Sequence, residues 1–220
     1  MTHFILVRHG QTEWNLIRRI QGQLDSKLDE TGREQARLVG ERLASETDIA
    51  AAYASDLSRA MDTAQAIVAH HPDLEVHPDS RMREITFGPW EGKLWKEFEG
   101  EEKERLMQWR ADVTSITISG VEPVEKFAAR VRSFIEDITK KHPNDKVLVV
   151  AHGGSINMFL TVAMEFPLKN CWRMKVGNTA IAEIYIFPEG PFLEKTNDTH
   201  HLEGACSLLK THQLSPEPRS

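Results

Sequence analysis

Two histidines of this chain stand where short apolar runs of the sequence end in glycine. His9 follows the run at residues 4–7 and stands beside Arg8, and His152 follows the run at residues 146–151. Such runs predict buried strands, and open α/β folds bind ligands at the carboxyl edge of parallel strands. Histidine there suits a nucleophile, an acid or base, or a ligand, and arginine suits a phosphate or carboxylate. A single histidine of this kind is commonly a turn residue, whereas a matching pair favours one shared anion site.

Arg59 and Glu84 are further candidates for this site. Arg59 lies in the first turn of a predicted helix just beyond a strand, where it could clamp the same anion; a solvated surface arginine is the plainer alternative. Glu84 precedes an aromatic stretch, and an apolar setting suits a general acid because desolvation favours a protonated carboxyl. The plainer alternative for Glu84 is an ion pair with Arg81 or Arg83. Spacing alone leaves both interpretations of Glu84 open.

The candidate set holds two histidines, two arginines and one glutamate, without an aspartate or cysteine cluster that would suggest a metal site. This favours phosphoryl transfer through a phosphohistidine, with the arginines neutralising charge that Mg²⁺ neutralises in kinases. The sequence contains no P-loop, no glycine-rich dinucleotide turn and no G-x-S-x-G elbow. We therefore expect neither a metal nor a cofactor.

Strands alternate with helices along most of the chain. Apolar runs predict strands at residues 4–7, 49–54, 74–77 and 146–151, and one or two strands within 176–187. Helical spacing predicts helices at residues 31–45, 57–68, 96–111 and 122–141, and another after the second histidine. The first of these helices carries a capping-box pattern from Thr31 to Glu34. The alternation predicts a three-layer α/β/α sandwich around a mostly parallel central sheet.

Residues 85–122 differ from their surroundings, since they carry three tryptophans, many glutamates and no strong strand pattern. We predict a helical insertion there, near the active site. One catalytic domain is expected over residues 1–203, followed by a flexible polar tail over 204–220.

Composition restricts the partners and the compartment. The net charge is −6 and no basic block occurs, so a nucleic-acid partner is not expected. No window approaches the ~20 apolar residues of a membrane span. The only cysteines, Cys171 and Cys206, are expected to be free thiols of a cytoplasmic protein. A secretory signal is not expected, because the chain enters a strand almost at once.

Four blocks of the sequence, spread over roughly residues 3–187, occur in a fixed order. They are Leu6-Val7-Arg8-His9-Gly10-Gln11-Thr12-Glu13-Trp14-Asn15, Ser55-Asp56-Leu57-Ser58-Arg59-Ala60 with Thr63-Ala64, Arg83-Glu84-Ile85 with Phe87-Gly88-Pro89-Trp90-Glu91-Gly92, and Ala151-His152-Gly153-Gly154. Together these blocks resemble the histidine phosphatase superfamily, whose fold is that of phosphoglycerate mutase.

The resemblance implies a role for each matching position. His9 would be the phosphorylated nucleophile, Glu84 the proton donor, and Arg8, Arg59 and His152 the ligands of the phosphoryl oxygens. Further phosphate contacts are implied for Asn15, Gln21, Gly22 and Gly153, the last through its N–H. The implied partner is a small-molecule phosphate ester, and a homodimer is compatible with the sequence.

The block around Glu84 is similar to the phosphatase branch and differs from the Glu-Arg-His-Tyr-Gly type block of cofactor-dependent mutases. One stretch departs from the branch, because Gly120-Val121-Glu122-Pro123 stands where a Gly-Gly-Glu-Ser block is common. The missing serine puts the contribution of that stretch to the pocket in doubt.

The resemblance therefore implies a metal-independent phosphomonoesterase that acts on small phosphorylated metabolites through a phosphohistidine. A phosphoglycerate mutase, or a specific phosphatase for α-ribazole phosphate or phosphoserine, is the alternative. A third possibility is a binding domain without turnover, which the intact set of His9, Glu84 and His152 disfavours. Substrate selectivity is expected from the insertion, whose aromatic side chains either wall the site or only attach the insertion to the domain.

Overall fold

A six-stranded mixed sheet runs through residues 1–203, the part of the chain that the computed structural model describes. Its strands, in chain order, are β1 (Thr2–Arg8), β2 (Ile49–Ala54), β3 (Val76–Pro78), β4 (Lys146–Ala151), β5 (Ile181–Phe187) and β6 (Gly190–Asp198). The spatial order is β3-β2-β4-β1-β5-β6. The three pairings from β3 to β1 are parallel and the two pairings of β5 are antiparallel, so the sheet is mostly parallel, as predicted.

Helices cover both faces of this sheet. They are α1 (Glu13–Leu16), α2 (Glu30–Leu43), α3 (Ser58–Val68), α4 (Gly100–Ala111), α5 (Val124–Lys141) and α6 (Gly153–Ala163). Alternate residues of β1 point to opposite faces: Phe4 and Leu6 join the core beneath α5 and α6, and Ile5 and Val7 join the core beneath α2 and α3. The three-layer α/β/α sandwich is confirmed.

Some of the predicted elements need correction. The N-cap of α2 is Asp29, whose carboxylate accepts from the N–H of Gly32, so the cap lies two residues before Thr31. The strand predicted at 74–77 lies at Val76–Pro78. The sequence prediction missed β6, a half-exposed edge strand that follows β5 across the short turn ending at Gly190.

The insertion packs onto the core that lies beneath α5 and α6. Trp90, Phe98 and Trp109 are each less than 5% exposed, and the ring of Trp90 meets the other two edge to face, whereas Trp95 is 37% exposed. Most of the aromatic residues in the insertion therefore attach it to the sandwich. The sequence prediction placed the start of α4 four residues too early, where a short 3₁₀ turn and an extended link precede the helix.

The remaining predictions concern the cysteines, the tail, membrane spans and the domain bounds. Cys171 is a buried free thiol, while Cys206 and the predicted tail at 204–220 lie outside the described residues. Within residues 1–203 no helix is both long and apolar enough to cross a membrane. That residues 1–203 form one catalytic domain stays a prediction.

Candidate active site

The two predicted histidines lie side by side because β1 and β4 are parallel neighbours. Arg8 pairs with Ala151 in the register, and the next N–H, that of His9, donates to the Ala151 carbonyl oxygen at 2.9 Å. The imidazole rings of His9 and His152 are 5.1 Å apart between centroids and inclined by 61°. Each residue is 3% exposed or less. The turn that follows each strand thus places one buried histidine at the same sheet edge.

The hydrogen bond of His9 fixes its tautomer. Nδ1 lies 2.7 Å from the carbonyl oxygen of Gly10. Because a carbonyl oxygen only accepts, Nδ1 carries the proton and Nε2 keeps its lone pair. Burial, and then the charges of Arg59 and Arg8, hold the pKa of His9 well below its usual value. The ring is therefore neutral and nucleophilic at Nε2.

His152 presents its other nitrogen to the site. Its Nε2 lies 2.8 Å from the hydroxyl oxygen of Ser55, while its Nδ1 is buried without a hydrogen-bond partner. When Ser55 donates to Nε2, Nδ1 carries the ring proton and can donate it to an anion. Burial, and then chiefly the charges of Arg59 and Arg8, hold the pKa of His152 well below its usual value.

Arg8 and Arg59 are held by backbone carbonyls and each keep one buried donor free. Nη1 of Arg8 donates to Val176 O at 2.7 Å; Nη1 and Nη2 of Arg59 donate to Leu24 O and Gly22 O at 2.9 and 2.8 Å. Both Nε atoms are buried without a partner. Burial lowers the pKa of Arg59 to about 10, which leaves the guanidinium charged at neutral pH. These two Nε atoms and Nδ1 of the second histidine are donors that an anion would satisfy.

Glu84 faces the site and is not paired with either neighbouring arginine. Arg81 pairs with Asp79 and Asp137, and Arg83 pairs with Asp56, so the ion-pair interpretation of Glu84 is wrong. Its two carboxylate oxygens accept instead from the backbone N–H groups of Ile85 and Gly154, each at 2.9 Å.

Glycine at position 154 makes room for this carboxylate. A Cβ built on Gly154 would lie 2.1 Å from Glu84 Oε1 and 2.7 Å from the ring of Trp172. The first turn of α6 therefore holds the carboxylate by a close backbone approach, next to an aromatic ring.

Asn15, Gln21 and Gly22 are three of the residues that the resemblance assigned to phosphate binding. Asn15 caps α1 together with Thr12, and its side-chain oxygen also accepts from the amide of Asn178 at 3.4 Å. The carbonyl of Gly22 accepts from Arg59. Gln21 is 8% exposed and accepts from Ser26. Phosphate binding by these three residues stays a prediction.

Gly153 opens α6 directly after the second histidine. A Cβ built on it would lie 3.5 Å from Nε of Arg8. Gly153 therefore lies beside Arg8, and its contact with phosphate stays a prediction.

Sequence reasoning assigned no role to several supporting residues. Ser55 binds the second histidine, Thr63 accepts from the N–H of Gly10 at 3.0 Å, and the amide of Asn178 donates to His9 O at 3.0 Å. The second matching block already contained Ser55 and Thr63, but no residue pattern indicated the partner of either. The asparagine lies 169 positions from the histidine whose carbonyl it binds, so only the fold brings them together.

The described residues contain no group of three or more His, Cys, Asp or Glu side chains arranged to hold a metal ion. The chemistry that this arrangement can perform is attack by a neutral imidazole on an anion bound by arginines, with a carboxyl group close to the attacked centre.

Comparison with known proteins places this geometry in a family. The model of the histidine phosphatase superfamily (branch 1) matches residues 4–199. Phosphoglycerate mutase-like protein 4 of Arabidopsis thaliana is 35% identical over 90% of this chain and 86% of its own length. The metal-independent phosphoserine phosphatase of the same plant is 33% identical over 99% of this chain and 90% of its own.

A solved structure agrees with the sequence relatives. The phosphoserine phosphatase of Entamoeba histolytica, crystallised with 3-phosphoglyceric acid, superposes with a TM-score of 0.80 at 33% identity. The match covers 92% of this chain and all of the other.

Proposed function

Because this chain belongs to branch 1 of the histidine phosphatase superfamily, we propose that His9 is the nucleophile with which it hydrolyses phosphate monoesters. The enzyme is a phosphatase of small phosphorylated metabolites. One observation carries the proposal for the residues: His9, whose Nε2 keeps its lone pair, lies within 5.1 Å of the His152 ring and in the field of Arg59 and Arg8. Each of these three neighbours has a buried ring or guanidinium nitrogen without a hydrogen-bond partner. A phosphoryl group has the charge and the acceptor oxygens to occupy them.

The proposed reaction has two steps. Nε2 of His9 attacks phosphorus as the ester P–O bond breaks, and Glu84 gives its proton to the departing alkoxide, so that a neutral alcohol leaves. The ionised Glu84 then takes a proton from water as the water oxygen attacks phosphorus and the N–P bond breaks. The products are alcohol and inorganic phosphate, with His9 neutral and Glu84 protonated again.

The names of the relatives suggest which esters to examine first. Phosphoserine phosphatase and phosphoglycerate mutase-like proteins stand among them, and we propose phosphoserine and phosphoglycerate as the leading substrates. A mutase would transfer the phosphoryl group of His9 to a second substrate hydroxyl and would need a bisphosphoglycerate primer. Release of inorganic phosphate without primer separates the two activities.

A single set of assays tests the nucleophile and the metal-independent mechanism. We expect the wild-type enzyme to hydrolyse a phosphate-ester panel equally well with and without EDTA, because the charged arginines bind the transferring group. His9→Ala should abolish turnover of every ester, while Arg37→Met, an exposed change on α2, should leave it unaltered. Activity lost in EDTA would contradict the metal-free mechanism, and activity retained by His9→Ala would contradict the nucleophile.

Compartment and assembly belong to the same proposal. The buried free thiol of Cys171 supports a reducing, cytoplasmic location. A homodimer is supported by the edge hairpin of β5 and β6, where Phe187 and Phe192 are 39% and 54% exposed and both contact Tyr185. Sedimentation equilibrium tests the dimer: a single species of 25.0 kDa would contradict it.

A further inference from the structure

The segment that carries Glu84 has little regular structure of its own. It lies between a 3₁₀ turn that ends at Met82 and another that begins at Gly88. Residues 83–87 are in neither a helix nor a strand. A carboxyl group that delivers a proton needs a fixed position, and this backbone must be held from outside.

Arg130, in the middle of α5, supplies that support. Its Nη1 donates to the carbonyl oxygens of Arg81 and Arg83 at 2.5 and 2.8 Å, and its Nη2 donates to the carbonyl oxygen of Glu84 at 3.0 Å. One guanidinium therefore gathers three carbonyls from four successive residues. The planar fork of arginine can do this, whereas the single ammonium of lysine cannot reach three diverging acceptors in the same way.

Glu122 holds Arg130 in this orientation. Its carboxylate accepts from Nε at 2.8 Å and from Nη2 at 2.9 Å. Backbone bonds join Glu122 to the same segment, because its N–H donates to Thr86 O at 2.8 Å and its carboxylate accepts from the N–H of Thr86 at 3.4 Å. The pair thus grips the segment on both sides of the carboxyl group.

The surroundings make this arrangement rigid. The side chains of Arg130 and Glu122 are only 17% and 9% exposed, and the guanidinium lies 4.4 Å from the ring centroid of Phe127. Moving the fork away would leave charged and carbonyl groups unpaired in a poorly hydrated place, which is costly.

We infer that Arg130 and Glu122 are positioning residues that set the place of the Glu84 carboxyl group for proton donation. The inference rests on the proposed function, in which Glu84 is the general acid. It also gives the Gly120-to-Pro123 stretch, which lacks the usual serine, a part in the site. Pro123 caps α5 without a side-chain hydrogen bond, and the stretch acts on the site through Glu122.

The test compares two esters by kcat/KM, which reports the steps up to departure of the alcohol. Glycerol phosphate has a poor leaving group that needs a proton, and p-nitrophenyl phosphate has a good one that does not. A general acid contributes about 10²–10⁴-fold, so we expect Arg130→Met to slow glycerol phosphate by about 10–100-fold and p-nitrophenyl phosphate by less than about threefold. Arg130→Lys and Glu122→Gln should show smaller losses with the same selectivity.

Two further variants make the outcome decisive. In the double variant Arg130→Met/Glu84→Gln, the change at Arg130 should add almost no loss to that of Glu84→Gln alone, because Arg130 acts only through that carboxyl group. Arg81→Met is the matched control, since Arg81 lies in the 3₁₀ turn just before the segment and also binds α5, through Asp137, but its side chain is not paired with Glu84. It should slow both esters equally or not at all.

The other possible results contradict either the positioning role of Arg130 and Glu122 or the acid role of Glu84. Equal slowing of the two esters by Arg130→Met, Arg130→Lys and Glu122→Gln, or additive losses in the double variant, overturns the positioning role. Equal slowing by Glu84→Gln overturns the acid role in the proposed function itself. Thermal unfolding of every variant identifies any that fails to fold. If Arg130→Met does not fold, Arg130→Lys and Glu122→Gln decide whether the positioning role holds.

Discussion

The single proton on the His9 ring decides what this residue can do. The Gly10 carbonyl binds that proton at Nδ1, and burial together with two arginines opposes a second proton at Nε2. In the proposed mechanism, the same arginines that would neutralise a phosphoryl group thus keep His9 in its reactive form. Binding and activation of the nucleophile are consequences of one arrangement of charges.

The ring of His9 is expected to stay neutral when the pH falls from 8 past 6.5. The lowered pKa means that the folded protein takes up this proton only at a more acidic pH than a model imidazole does. NMR titration of the imidazole resonances, with His9 assigned through His9→Asn, measures it. His200 is an internal control, because its side chain is 80% exposed and its pKa is raised by the hydrogen bond with Asp198. A midpoint for His9 at or above 6.5 would contradict the expectation.

Most of the proposed site residues could be located from sequence because they stand at element boundaries, as His9, His152 and Arg59 do. A histidine after a buried strand can be located by the apolar run before it, as at His9 and His152. Glu84 stands in an irregular segment, so spacing left its ion-pair alternative open until the partners of Arg81 and Arg83 were seen. What sequence could not supply were the contacts made across the fold.

At the scale of elements, the buried strands were predicted best and the exposed ones worst. β4 is buried on both faces and its bounds agree with the apolar run, whereas β6 alternates between half-buried and exposed residues and gives a weak signal. The longer helices were found by their periodicity, whereas the four-residue α1 was not predicted. The start of α2 was misplaced because the prediction took Thr31 as the cap, whereas Asp29 forms it.

Gly22 lies where two loops meet, and it connects Arg59 with the segment after Glu84. Gly22 has φ +55°, and its carbonyl accepts from Arg59. A Cβ there would lie 2.0 Å from Oε1 of Glu91, which itself accepts from the N–H groups of Gln23 and Phe87 at 3.1 and 2.9 Å. Space and backbone conformation both require glycine at this position.

Gly22→Ala is expected to lower kcat/KM for p-nitrophenyl phosphate by about tenfold or more, which is ~1.4 kcal/mol of transition-state stabilisation. The added methyl group must displace Glu91, and with it the loop whose carbonyls hold Arg59. Gly100→Ala is the matched control, because Gly100 has φ +53° but nothing within 4 Å of the new methyl group. Both variants carry the strain of the left-handed backbone, so equal activities would show that the clash is unimportant.

For the whole molecule, the sandwich fixes the sheet edge from both faces. The cores beneath α2 and α3 and beneath α5 and α6 enclose the strands that end in the two histidines, while β2 leads to Ser55 and α3 carries Arg59. The site is therefore assembled from distant parts of the chain, and binding an anion there joins those parts. Ligand binding and folding are linked through the same contacts.

Orthophosphate should therefore stabilise the protein against heat. Binding at 100 times its dissociation constant adds about 2.7 kcal/mol, which for a chain of this size raises the unfolding midpoint by roughly 5–10 °C. The buried donors of Arg8, Arg59 and His152 provide the binding energy, so Arg59→Met should lose most of the rise. Arg37→Met, whose side chain is 51% exposed, should keep it. An equal rise in chloride of matched ionic strength, or in Arg59→Met, would mean that phosphate does not act through these donors.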